Sequence, residues 1–158
     1  MTQGHAAGTV MALACAALLA ACVPAAREGA PDVWRAWNTM QVVADSARPA
    51  TASVISRPQA GPSDFWCAAG DWAIRRAGAS PTDRVTILRG AGPSPIPSGR
   101  SAVTFTTRPP PGLADGPRPG EDGNYTLRLD EPGFNLSAAQ ARAYCPDSLR
   151  KFGFGRRF

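Results

Sequence analysis

The stretch Pro62-Ser63-Asp64-Phe65-Trp66-Cys67-Ala68-Ala69-Gly70-Asp71-Trp72-Ala73-Ile74-Arg75-Arg76-Ala77-Gly78 decides the reading of this chain. Phe65, Ala68, Ala69, Trp72 and Ala73 recur at helical spacing, so one apolar stripe faces a core over Asp64 to Ala77. Pro62-Ser63-Asp64 offers an N-cap, because a short side-chain oxygen satisfies the open amides of a first turn. Gly78 follows as the C-terminal stop. Asp71 and Arg75, four apart, read as an exposed pair that adds a few tenths of a kcal/mol.

Strands flank this helix. Ser53 to Ser56 reads as a short one, closed by Arg57-Pro58, and Arg84 to Arg89 as another, ending at Gly90. Ala102 to Thr107 is rich in β-branched residues, with Val103 and Phe105 on one face. Gly90 to Arg100 then becomes a broad hairpin loop, and Tyr125 to Leu129 alternates like a further strand. Ser137-Ala138-Ala139-Gln140 matches a capping box that opens a short helix up to Tyr144 or Cys145, stopped by Pro146. Asp32 to Asp45 reads two ways. Trp34, Trp37 and Met40 or Gln41 repeat as on a helix, whereas Val42-Val43 would begin a strand. Together these elements predict an α+β domain: a small, mostly antiparallel sheet with two or three helices and one disulfide.

Residues 108–123 hold five prolines and four glycines, a composition for a mobile loop. The single globular domain is expected to span 32–149, followed by a basic aromatic tail over 150–158.

The N-terminal run from Ala6 to Ala21 is apolar and small, without charge, and has the length of a signal-peptide core rather than of a membrane span. It ends in Leu19-Ala20-Ala21-Cys22, which resembles the lipobox of bacterial lipoprotein signal peptides. That resemblance implies removal of residues 1–21 and acylation of Cys22. It also implies a tether over 22–31 and, with Val23 rather than Asp after the cysteine, the periplasmic face of an outer membrane. Cleavage by an ordinary signal peptidase near Ala25-Ala26 and a buried Ala-rich helix are the competing readings. The segments Asp64 to Asp71, the strand ending in Arg89-Gly90, the Phe105 strand and Asn135 to Cys145 are similar to small exported proteins of Gram-negative bacteria. That likeness carries no activity with it.

Export changes the cysteine count. Cys15 leaves with the signal and Cys22 is alkylated, so Cys67 and Cys145 remain as an even pair in an oxidising compartment, the pattern of one disulfide.

The only histidine, His5, lies in the signal region, so the mature chain has none, which excludes Ser-His-Asp or Cys-His hydrolysis and a His-ligated zinc. No metal or cofactor is expected. The net charge of +5 comes from sixteen arginines and one lysine against twelve acids, all of them after Cys22. Gly90-Ala91-Gly92-Pro93 lacks the Gly-Lys-Ser/Thr ending of a phosphate loop, and Glu121-Asp122-Gly123-Asn124 lacks the ligand alternation of a calcium loop. The paired acids Asp130-Glu131 and Asp64 with Asp71 are the carboxylates available for acid–base chemistry. Trp34, Trp37, Trp66 and Trp72 would line a cleft if they converge. Arg150, Lys151, Arg156 and Arg157 in the tail suit an anionic lipid headgroup or an envelope glycan, and export places the chain away from nucleic acid. The function expected is a non-enzymatic envelope lipoprotein that binds or scaffolds, held to the membrane by lipid. A periplasmic enzyme using carboxylate and Arg groups, or a small-ligand binder with the Trp cleft, is the alternative.

Overall fold

The computed structural model describes residues 31–146. Its sheet has six strands: β1 (Val33–Arg35), β2 (Gln41–Ala44), β3 (Thr51–Ile55), β4 (Arg84–Pro93), β5 (Ser101–Thr106) and β6 (Asn135–Ser137). Three helices accompany it: α1 (Pro62–Arg75), α2 (Pro111–Ala114) and α3 (Ala138–Ala143). The strand order is β1-β2-β3-β5-β4-β6 and every neighbouring pair is antiparallel, so the expected α+β class with its antiparallel sheet is observed. Because β5 lies between β3 and β4, those two strands run parallel, and α1 is the crossover that joins them.

Helix α1 lies on one face of the sheet. Phe65, Trp66, Ala68, Ala69, Trp72 and Ala73 meet Val42, Ala52, Val54, Val85, Ile87, Val103 and Phe105. Trp66 stands edge-on to Phe105 at 5.0 Å between ring centres, and its indole N–H donates to the Arg128 carbonyl at 3.1 Å. The opposite face holds a smaller cluster of Val43, Ile55 and Ala102 with Ile96. Beside it run cross-strand hydroxyl pairs, Ser53 with Thr104 at 3.0 Å and Thr51 with Thr106 at 3.2 Å.

Helix α3 packs on α1 through small residues. A Cβ on Gly70 would lie 2.5 Å from the Arg142 amide nitrogen, so only glycine lets the two backbones approach this closely. The Cys67–Cys145 disulfide closes the same contact, with Cα atoms 4.7 Å apart.

Several boundaries differ from the sequence reading. The N-cap of α1 is Gly61, with Pro62 in the first turn, and Asp64 reaches back to accept the Gly61 amide at 3.0 Å. The helix ends at Arg75, and Gly78, with φ +70, reverses the chain after it. Residues 32–45 form the β1–β2 hairpin rather than a helix. The Trp34–Trp37 spacing that imitates a helical repeat is broken by a turn at Trp37-Asn38-Thr39, and Val42-Val43 form the second strand. Strand β4 continues past Gly90 to Pro93 through irregular pairing with β5. Gly90 permits this because a Cβ there would meet Asp130 at 2.9 Å.

Tyr125 to Leu129 is not a strand. On the outer edge of β4, β6 pairs with Arg84 to Thr86, and Tyr125 to Leu129 joins no strand; it leans Leu127 and Leu129 on the core while Tyr125 is exposed. The Pro/Gly segment 108–123 contains α2 and is tied to β6, where the Asn135 amide donates to the Pro117 carbonyl at 3.1 Å. The capping box at Ser137 and Gln140 opens α3 as expected.

Candidate functional site

The hairpin turn from Ala36 to Met40 is held from several directions. Thr39 N–H donates to the Ala36 carbonyl at 2.8 Å and Ala36 N–H to the Met40 carbonyl at 3.0 Å. The Asn38 side chain donates to the Asp64 carbonyl at 2.7 Å and accepts from Met40 N–H at 3.3 Å. Trp37 N–H donates to the Asp71 carboxylate at 2.8 Å. These bonds hold Thr39 at φ +69, a left-handed conformation that a β-branched residue resists. Such strain persists only where the surroundings over-determine it, and it gathers at ligand clamps.

Thr39 forms the lip of a cavity of about 420 Å³ at one end of the sheet. Arg35 at the end of β1 and Gln41 at the start of β2 pair across the hairpin and contribute to the wall. Ile55 closes the apolar floor, with Met40 beside it, and Ser56 and Arg57 follow from the end of β3. The β4–β5 connection brings Ser98 and Arg100 over the other side.

Three arginines therefore line one cavity, together with Thr39, Gln41, Ser56 and Ser98. The Ser56 hydroxyl also accepts from Ser101, and the Ser98 hydroxyl from the Arg100 amide. Arg57 is engaged by Asp64 at 2.9 Å. Among the described residues Arg35 and Arg100 form no ion pair. Guanidinium forks with neighbouring hydroxyls suit the oxygens of a carboxylate, phosphate or sulfate. The lining holds no carboxylate, imidazole or thiol.

Compared with known proteins, the chain matches no family model, no curated protein and no solved structure.

The residues singled out from the sequence are dispersed. Trp66 and Trp72 are core residues, Trp34 is half-buried with the Arg75 guanidinium 5.7 Å above its ring, and Trp37 is exposed. The four tryptophans therefore do not converge on a cleft. Glu131 pairs with Arg128, which holds that guanidinium above its ordinary pKa through the hydrogen bond and charge of Glu131. Asp64 caps α1 and pairs with Arg57. Asp71 is wholly buried, which corrects the expectation of an exposed Asp71–Arg75 pair. The β1–β2 turn donates to it from one side, and Arg142 of α3 approaches it to 3.6 Å from another.

Glu121 to Asn124 forms a turn, with Asn124 N–H donating to Asp122 at 2.9 Å, and no cluster of three metal-ligating side chains occurs among the described residues. Cys22 and the cations Arg150, Lys151, Arg156 and Arg157 lie outside the described residues.

The arginine cavity escaped the sequence reading. Arg35, Arg57 and Arg100 are spread over 65 positions and share no motif. A usable local signal was the strand-end placement of Arg57 and Arg100, each beside a serine or glycine just outside a predicted strand.

Proposed function

We propose that this protein is a lipid-anchored, extracytoplasmic binding module that holds an anionic group between Arg35, Arg57 and Arg100. The observation that carries the reading is that three arginines line one cavity that holds no acidic residue, two of them without an ion-pair partner among the described residues. The lipobox ending in Cys22 supports the anchor, and the Cys67–Cys145 disulfide supports an oxidising compartment. The tail cations Arg150, Lys151, Arg156 and Arg157 add a second, sequence-unspecific attraction to anionic lipid headgroups or an envelope glycan.

Thermal melts of the unlipidated mature chain in increasing inorganic phosphate or citrate test this reading. A ligand held by the native cavity raises the midpoint, by about 2.7 kcal/mol of stability at a hundredfold excess over its Kd. The double variant Arg35→Gln/Arg100→Gln should abolish that rise at constant ionic strength. An equal rise in the variant, or none in the parent across phosphate, citrate and glycerol phosphate, overturns the assignment. Mass spectrometry of the N-terminal peptide tests the anchor: an unmodified terminus at Ala26 or beyond removes it.

A further inference from the structure

We infer that the side of the domain around Asp71 is a second interaction surface, one that rests against an anionic phospholipid bilayer. The Asp71 side chain is completely buried, yet the groups that close over it are not. Arg75 and Arg142 flank it at 3.5 and 3.6 Å with about half of each side chain in solvent. Trp37, whose amide binds Asp71, leaves 40% of its surface exposed, and Tyr144, two residues after Arg142, leaves 43%. Two of the four large hydrophobic side chains exposed among the described residues thus belong to the segments that carry these contacts, Trp37 to the turn bonded to Asp71 and Tyr144 to the C-terminal cap of the helix that carries Arg142.

An indole and a phenol set among arginines suit the boundary between water and lipid, where the ring enters the interface and the guanidinium meets phosphate. The surplus charge is positive, since Asp71 serves both Arg75 and Arg142. Both ends of the described domain meet this side. Asp32, the first residue beyond the tether, pairs with Arg76 at 2.9 Å, next to Arg75 in α1. At the other end, the Pro146 carbonyl accepts the Trp37 indole N–H at 3.1 Å. An anchor at Cys22 lies only ten residues before Asp32, a span of at most about 35 Å. The proposal draws on the lipid-anchor reading for this geometry, whereas the composition of the surface is independent of it.

The test uses the full mature chain with Cys22→Ser, so that acyl insertion contributes nothing. It is mixed with vesicles of phosphatidylglycerol and phosphatidylethanolamine in equal parts, carrying brominated acyl chains that quench tryptophan on contact. Quenching should appear with these vesicles and be weak with phosphatidylcholine alone. Trp37→Phe should remove the larger part of it, because Trp66 and Trp72 are buried and Trp34 is half-covered beneath Arg75. Arg142→Gln should weaken binding about fivefold at low salt, the effect of one interfacial charge, with the thermal midpoint reporting that the fold is kept. Quenching in Trp37→Phe that equals the parent's, or equal binding to phosphatidylcholine, overturns the proposal. Because the assay lacks the acyl group, those outcomes leave the anchor to be judged separately by the mass of its N-terminal peptide.

Discussion

Asp71, in the middle of α1, accepts the backbone N–H of Trp37 at 2.8 Å and so ties the β1–β2 turn to the helix. The bond has two consequences. It satisfies an amide that the turn leaves without a strand partner, and it holds the turn whose other side carries Thr39 at the lip of the arginine cavity. The second carboxylate oxygen is buried without a hydrogen bond, with the Arg142 guanidinium 3.6 Å from it and Arg75 on the other oxygen.

Asp71→Ala should therefore cost about 2–3 kcal/mol, the range for losing a charged acceptor and stranding its donor. Asp71→Asn keeps an acceptor for Trp37 and should cost less. Urea denaturation gives both values, and amide exchange at Trp37 should accelerate in the alanine variant alone. A neutral Asp71→Ala would show that the two arginines and Trp37 are equally well solvated without the carboxylate.

The Cys67–Cys145 bridge joins α1 to the residues just after a helix of only six residues, which is otherwise held by the burial of Ala138 and Ala141, the Gly70 contact and the capped start at Ser137. The bond closes a loop of 78 residues, so either Cys67→Ala or Cys145→Ala should lower stability by about 2–5 kcal/mol. The two single variants should match the double variant closely, since each removes the same bond. Labelling of the non-reduced mature protein should find neither thiol. Additive losses in the double variant would assign the effect to packing of the two side chains instead.

The parts of the fold readable in the sequence are those where a local pattern and the tertiary environment agree. Helix α1 has its apolar stripe on the sheet, the Phe105 strand lies mid-sheet with both neighbours paired, and Ser137 with Gln140 caps a helix from within four residues. The misreadings arise where a distant partner decides. Trp34 and Trp37 have helical spacing, but Val42 pairs with Trp34 and Asp71 captures the turn between them. Tyr125 to Leu129 has strand alternation, but it joins no strand of the sheet, and β6 pairs with the start of β4 instead. Asp71 looks like one half of a surface ion pair until the hairpin and α3 cover it. The arginine cavity is wholly a product of topology, since it joins the ends of β1 and β3 to the β4–β5 connection.

The turn between β2 and β3 carries a pH dependence. Burial opposes ionisation of Asp45, but the Arg48 side-chain hydrogen bond, the Ala47 and Arg48 amides and the Arg48 charge outweigh it and hold the carboxyl below its ordinary value. A carboxylate with a depressed folded pKa stabilises the protein at neutral pH. That contribution persists down to the unfolded value and disappears as pH falls through the folded one. Denaturant midpoints measured from about pH 5 to pH 2 should fall less steeply in Asp45→Asn than in the parent, with the curves converging at the acid end. Parallel curves would mean that Asp45 titrates alike in folded and unfolded chains.

Asn135 offers the sharpest discrimination between shape and chemistry. It is fully buried and uses both ends of its amide. Its oxygen accepts the Arg84 Nε–H at 2.7 Å, and its nitrogen donates to the Gly116 and Gly133 carbonyls at 2.9 Å each. The side chain thereby fastens the Pro/Gly segment to the edge of the sheet, where Gly116 passes so close to Gly133 that a Cβ on it would lie 2.2 Å from the Gly133 carbonyl oxygen. Asn135→Asp keeps the volume and the partner for Arg84 but turns the donor into a second acceptor facing two carbonyls. Asn135→Ala removes both ends and leaves the carbonyls unpaired. Each buried group left without a partner costs about 1–3 kcal/mol. Both variants should therefore be destabilised beyond the loss of one hydrogen bond, and proteolysis should cut first within 108–123. If Asn135→Asp is as stable as the parent at neutral pH, the two carbonyl contacts contribute nothing and the segment is held by its backbone bond to Asn135 alone.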